Sequence, residues 1–123
     1  MNKNLTRDLQ ILLKLLTYIK KMQTALQQYG CKTSSQFIAN ETCMDLCSFY
    51  ILQISSLCRQ LSKESYQAIN FISTGNLIPV QNMIAHDYIQ LNRQILYSFV
   101  QDCCRHSSFV QIQNQIIFCK KNK

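Results

Sequence analysis

Apolar residues recur along the first quarter of the chain at spacings of three and four: Leu5, Leu9, Leu12, Leu16, Ile19, Met22, Leu26 and Tyr29. That seam predicts a long amphipathic helix packed in a bundle. Asn4 is placed to cap its start, and Gly30 to close it in the left-handed conformation. Residues 31–40 read as a connection with about one helical turn around Gln36–Ile38. Asn40 then reads as the cap of a second long helix, with Glu41 in its first turn, where a carboxylate suits the dipole. Its stripe runs through Cys43, Cys47, Tyr50, Ile54, Leu57 and Leu61, widened by Leu46 and Ile51. A stripe that broad predicts contact with more than one neighbour. Ser62 is placed to cap a short helix running to about Ile69.

Ser73-Thr-Gly-Asn76 is the strongest turn signal in the chain. Pro79 follows where a first helical residue belongs, because its missing N–H has no partner there anyway. A helix is therefore expected from Ile78–Pro79 to near Tyr88, carrying Gln81, Asn82 and His86. Another follows Asn92, with Ile95, Leu96, Phe99, Val100 and Cys103 on its apolar face. Ser107 or Ser108 restarts a last helix through Phe109, Ile112, Ile116 and Cys119. The expected fold is an all-α antiparallel bundle of four to five helices forming one domain over residues 1–123.

Composition agrees. Two glycines and one proline in 123 residues are too few for the turns of a sandwich or barrel. An apolar content of 47% supplies a core. No apolar run is long enough to span a bilayer. The stretch Ile11 to Leu16 is broken by Lys14 and lies close to Asp8 and to Lys20–Lys21, which does not suit a signal peptide. The expected location is the cytoplasm. Thirteen Lys and Arg against six Asp and Glu give a net charge of +7, which favours anionic partners. Along the sequence the excess is diffuse, clustering only at Lys120, Lys121 and Lys123.

Seven cysteines, an odd number, suit buried free thiols in a reducing compartment. Cys43 and Cys47 sit at i, i+4, and Cys103, Cys104 and His106 form a second small group. Neither has the spacing of a zinc site, so no metal or other cofactor is expected. No glycine-rich phosphate loop exists, and the acids are too scattered for a two-carboxylate or two-metal centre. His86 stands out. Asn82 and His86 at i, i+4 share a helical face, and core packing does not account for a polar pair there.

The run Ile78-Pro79, then Asn82-x-x-x-His86-x-Tyr88, resembles the HepT-like branch of the HEPN superfamily. There the motif reads Arg-Asn-x-x-x-His-x-Tyr after Ile-Pro-Trp. Ile51-Leu-Gln-Ile54 followed by Leu61-Ser62 resembles the family's second long helix, so the resemblance covers nearly the whole chain. It implies a helical bundle that dimerises through the motif region. It implies a metal-independent endoribonuclease acting on RNA, the toxin of a type II toxin–antitoxin pair whose partner is a minimal nucleotidyltransferase. His86 would move the proton at the ribose 2′-hydroxyl or the leaving oxygen, with Asn82 beside it. Tyr88 would be the residue to which the antitoxin attaches AMP.

The departures bear on activity. The family's arginine falls on Gln81, which has no charge with which to clamp a phosphate. The family's Gly-Glu falls on Ser55-Ser56, and its Trp on Val80. Losing one charge-stabilising group from such a site costs about 10²–10³ in rate. Arg59 and Arg93 are the candidates to replace the missing charge. Positions 81 and 86 lie about 140° apart around a helix, so they work together only in a cleft, between protomers above all. Three readings stand at this point: a weakened ribonuclease, a non-catalytic dimer that partners a nucleotidyltransferase, and a basic helical adaptor for an acidic protein.

Overall fold

The computed structural model describes residues 3–123. It contains eight α-helices and one 3₁₀ turn, with no strand among the described residues. α1 spans Lys3–Gln28, α2 Ser34–Ile38, α3 Glu41–Cys58, α4 Lys63–Ala68 and α5 Asn70–Ser73. α6 spans Leu77–His86, the 3₁₀ turn Tyr88–Gln90, α7 Arg93–Cys104 and α8 His106–Asn122. Five of these have ten or more residues, so the expected all-α bundle is what forms. α2 falls where about one turn was expected, α4 where a short helix to about Ile69 was expected, and α5 is an addition to that reading.

α1 is the centre of the bundle and packs on α3, α7 and α8. Leu5, Leu9, Leu12, Ile19 and Met22 of the expected seam are buried, Leu16 and Leu26 are half-buried, and Leu15 is a buried addition. Tyr29, expected at the end of that seam, is exposed. Asn4 lies inside the helix, whose described start is Lys3, and so does not cap it. The other end behaves as expected. Gly30 has φ of 65°. Cys31 N–H reaches Leu26 C=O at 2.8 Å, and Gly30 N–H reaches Gln27 C=O at 3.2 Å. This pair of bonds is a Schellman closure, and a side chain at the left-handed position would cost about 1–2 kcal/mol.

Side-chain caps start α2, α3, α4 and α7. Asn40 Oδ1 accepts from Cys43 N–H at 2.9 Å. Asn92 Oδ1 accepts from Ile95 N–H at 3.1 Å. Thr33 and Gln36 form a reciprocal capping box on α2. Ser62 caps α4 through Ser65 N–H. α8 begins at His106, one or two residues before the expected serines. Ser108 is buried and donates to Asp102 C=O at 2.5 Å, tying α8 to α7. α3 contacts α1, α2 and α6, as its wide stripe requires. The expected Cys43, Cys47, Ile51 and Ile54 are buried, joined by Met44, Ser48, Ser55 and Cys58, while Tyr50 and Leu57 are half-buried. All seven cysteines are free, and only Cys104 is less than fully buried. No helix among the described residues is long and apolar enough to cross a membrane.

One buried acid holds three elements together. Asp8 of α1 is 1% exposed. Its Oδ1 accepts from Ser62 N–H at 3.0 Å. Its Oδ2 accepts from the hydroxyls of Ser62 at 2.5 Å and Ser65 at 2.6 Å. Gln115 of α8 donates to Ser65 Oγ at 3.0 Å. Every polar atom in the chain Asp8–Ser62–Ser65–Gln115 finds a partner, as burial demands. The start of α1 therefore meets the segment after α3, and the Tyr18–Tyr50 ring contact pairs their middles, so α1 and α3 run antiparallel. Asp8→Ala removes the acceptor of three donors. It is expected to lower the unfolding free energy by about 3 kcal/mol in urea melts; a loss under about 0.5 kcal/mol would mean that the network contributes little.

Candidate functional site

α6 is positioned by a tight turn. A Cβ on Gly75 would lie 2.2 Å from Phe71 C=O, so only glycine fits where the chain leaves α5. Val80 N–H then bonds Asn76 C=O at 2.9 Å. Pro79 is the third residue of α6 rather than the first. It is still within the first turn, where an N–H has no intrahelical partner. Leu77, Val80 and Ile84 are buried at spacings of three and four, and α6 packs on α3 and α7. The opposite face carries Ile78, Asn82, Ala85 and His86, all exposed. The helix ends at His86, short of the expected end near Tyr88. Asp87 breaks the helical geometry, and Tyr88 opens the 3₁₀ turn.

Gln81 faces a different way from His86. It is half-buried and lines a cleft of about 560 Å³ between α3, α4 and α6. Arg59, at the end of α3, lines the same cleft, as does Lys63. Arg59 Nη2 donates to Ser55 Oγ at 3.4 Å, one turn back along α3. No carboxylate pairs with it among the described residues. Ser55, where the HepT-like pattern carries glycine, thus steers the Arg59 guanidinium. Leu61, Tyr66, Leu77 and Ile78 give the cleft an apolar lining. Ile78 belongs both to the cleft and to the exposed face of α6, one turn before Asn82.

Arg93 is committed elsewhere. Its Nη1 donates to Ile38 C=O at 3.0 Å, and its Nη2 lies 3.8 Å from Glu41. Asn82 and His86 share the outer face of α6, and neither side chain makes a hydrogen bond or ion pair among the described residues. The fold therefore groups Gln81 with Arg59 in the cleft and Asn82 with His86 on the outer face of α6, while Tyr88 pairs with Asp45.

Tyr88 is docked on α3, where its hydroxyl donates to the Asp45 carboxylate. Burial and then this bond push the phenol up to about 12. Ser48 Oγ is buried without a well-formed hydrogen bond. It faces the same phenol and pulls its pKa the other way, as does the more distant Arg93. Sequence reasoning missed Asp45, because an acid between Met44 and Leu46 reads as part of a solvated face. Nothing local marks it as the partner of a tyrosine more than forty residues on.

No family model, curated protein or solved structure matches the chain.

The thiols do not form a reactive centre. Cys43 lies against Cys31 and Cys47, and burial raises both Cys43, to about 11, and Cys47, further still. Cys104 is pushed to about 12 by burial, and Cys103 is raised beside it. Thiols held protonated are poor nucleophiles. No cluster of three metal-ligating side chains exists among the described residues. His106 is exposed at the start of α8.

The Tyr88 contact makes a pH prediction. A phenol raised above its ordinary value of 10 keeps its proton in the folded state when the unfolded chain has lost it. Stability from this contact is thus whole below about pH 10 and falls as pH rises towards 12. In phenolate absorbance titrations, the signal missing from Tyr88→Phe should have its midpoint near 12, and Asp45→Ala should lower that midpoint. A Tyr88 midpoint that Asp45→Ala leaves in place would contradict the docking.

Proposed function

We propose that this chain is a HepT-like HEPN domain that acts as a homodimeric, metal-independent endoribonuclease, with Arg59 taking the part of the missing motif arginine. The observation that carries this reading is the shared cleft: Arg59 and Gln81 line it together, and Arg59 has no carboxylate to neutralise it. The guanidinium supplies the fixed charge that Gln81 lacks and holds the scissile phosphate in its planar fork. Gln81 adds a neutral donor. His86 takes the proton of the ribose 2′-hydroxyl as that oxygen attacks phosphorus, or returns one to the departing 5′-oxygen. Asn82, one turn before it, hydrogen-bonds the same backbone. The dimer would cover Ile78, on the outer face of α6, and Ile89, just beyond the helix, which are 59% and 91% exposed. A second protomer over that face brings His86 of each chain towards the cleft.

In this reading the chain is the toxin of a pair, and a minimal nucleotidyltransferase attaches AMP to Tyr88. The phenol must then leave Asp45, since one hydroxyl proton cannot be both donated there and replaced by a phosphoryl group. A second reading is favoured by one observation: the His86 imidazole has no orienting partner among the described residues. On that reading the dimer is non-catalytic and serves as the regulated partner of the nucleotidyltransferase.

Initial cleavage rates on a mixed RNA pool separate them. His86→Ala and Arg59→Ala should each fall by about 10²–10³. Arg93→Ala should keep the wild-type rate, and Gln81→Arg should add little because the charge is already supplied. A folded Arg59→Ala protein cutting at the wild-type rate would remove Arg59 from the mechanism. No activity in the wild type or any variant would leave the non-catalytic reading. By light scattering at micromolar concentration the wild type should be a dimer and the double variant Ile78→Asp, Ile89→Asp a monomer; a monomeric wild type would end the shared-cleft mechanism.

A further inference from the structure

The charge that looks diffuse along the sequence is gathered by the fold. Two adjoining clefts run between the outer faces of α1 and α3 and share Thr17 and Lys21. Lys14, Lys20 and Lys21 line them, and no acid does. Four of the six acids are engaged or buried elsewhere, Asp8 in the core, Glu41 with Arg93, Asp45 with Tyr88 and Asp102 with Arg105, and the exposed Glu64 and Asp87 line neither cleft. Tyr18 and Tyr50 pack against each other where the two clefts adjoin, ring centroids 6.0 Å apart and tilted by 43°, and each leaves its outer side to one cleft. Both are half-buried, one in each cleft, and neither phenol makes a hydrogen bond among the described residues. Gln28 and Gln53 add side-chain amides free to donate.

We infer that the α1–α3 groove is a binding track for single-stranded nucleic acid, separate from α6 and independent of whether the chain cuts RNA. From Lys14 to Gln28 the track is about 21 Å long, the length of roughly six stacked nucleotides at ~3.4 Å per phosphate. Lysines follow the phosphates, and aromatic faces take bases without regard to sequence. An acidic protein or a lipid headgroup layer would be met by the same lysines, but neither makes use of a paired tyrosine platform inside a groove. A duplex keeps its bases stacked on each other and gains nothing from the tyrosines.

The test is fluorescence anisotropy with a labelled oligouridylate, in the His86→Ala background so that the probe survives. Lys14→Gln, Lys20→Gln and Lys21→Gln together should weaken binding at least about tenfold at physiological salt and flatten the log–log salt slope by roughly 2. Tyr18→Leu with Tyr50→Leu should weaken it about tenfold with the salt slope unchanged, and the Phe pair should restore it. The annealed duplex should bind more weakly than the single strand. Unchanged affinity in the lysine variant would overturn the track. Equal competition by polyglutamate, or equal retention on phosphatidylserine vesicles, would replace it with a general polyanion surface. Loss of cleavage in the Arg59 variants with oligouridylate binding intact would separate failure of the ribonuclease site from failure of the groove.

Discussion

A carboxyl group in the core sets the geometry on which the rest depends. Asp8 is removed from water, and its two oxygens are met by three donors from the segment that follows α3. Burying an acid is costly unless its hydrogen bonds are made, so the chain after Cys58 must turn where Ser62 and Ser65 can reach it. That turn starts α4, and α4 with its approach supplies Leu61, Lys63 and Tyr66 to the wall of the cleft that holds Arg59 and Gln81. Gln115 extends the same network to α8. The cleft is thus a consequence of how α1 is anchored, although no residue of α1 lines it.

The two faces of α6 divide its work. Leu77, Val80 and Ile84 fasten it to the bundle, while Ile78, Asn82 and His86 stand outside. Its end is fixed by Tyr88, which crosses to Asp45 on α3. Covalent modification of that hydroxyl removes its proton from the contact and, in the case of a phosphodiester, sets a negative charge near the Asp45 carboxylate. The result is repulsion where there had been a hydrogen bond. Electrostatics divides in a parallel way. Glu41 and Asp45 lie with Arg93 and Tyr88 near the start of α3, while the charged residues that line the outer groove between α1 and α3 are all lysines.

Local chemistry was legible in the sequence where one residue decides the outcome. Asn40 and Ser62 cap the helices they were expected to cap, a helix follows Asn92 as expected, and Gly30 takes the left-handed conformation, because each acts on backbone within a few residues. Asn4 failed as a cap since helix continues through it. The expected α3 residues Cys43, Cys47, Ile51 and Ile54 are buried, and the buried face widens to Met44, Ser48 and Ser55 because three neighbours surround that helix and periodicity finds one face at a time. What stayed hidden is long-range. Asp8 on an amphipathic helix reads as solvated until Ser62 and Ser65 are seen to fold onto it. Asp45 has no signal until Tyr88 arrives. Gln81 and His86 were read from one motif, but the grouping of Gln81 with Arg59 needed the packing of α6 on α3. The family resemblance rests on the motif residues and is matched by none of the comparisons with known proteins.

The central claim is that Arg59, and not Arg93, meets the phosphate. The most direct measurement is nuclear magnetic resonance of the arginine Nε–H groups while a 2′-O-methylated dinucleotide, which cannot be cleaved, is added to the wild-type protein. The account predicts a saturable shift of the Arg59 signal, with the Gln81 side-chain amide moving alongside it and Arg93 held in place by Ile38 and Glu41. An Arg59 signal that stays put while the dinucleotide binds, or a shift confined to Arg93, would contradict it.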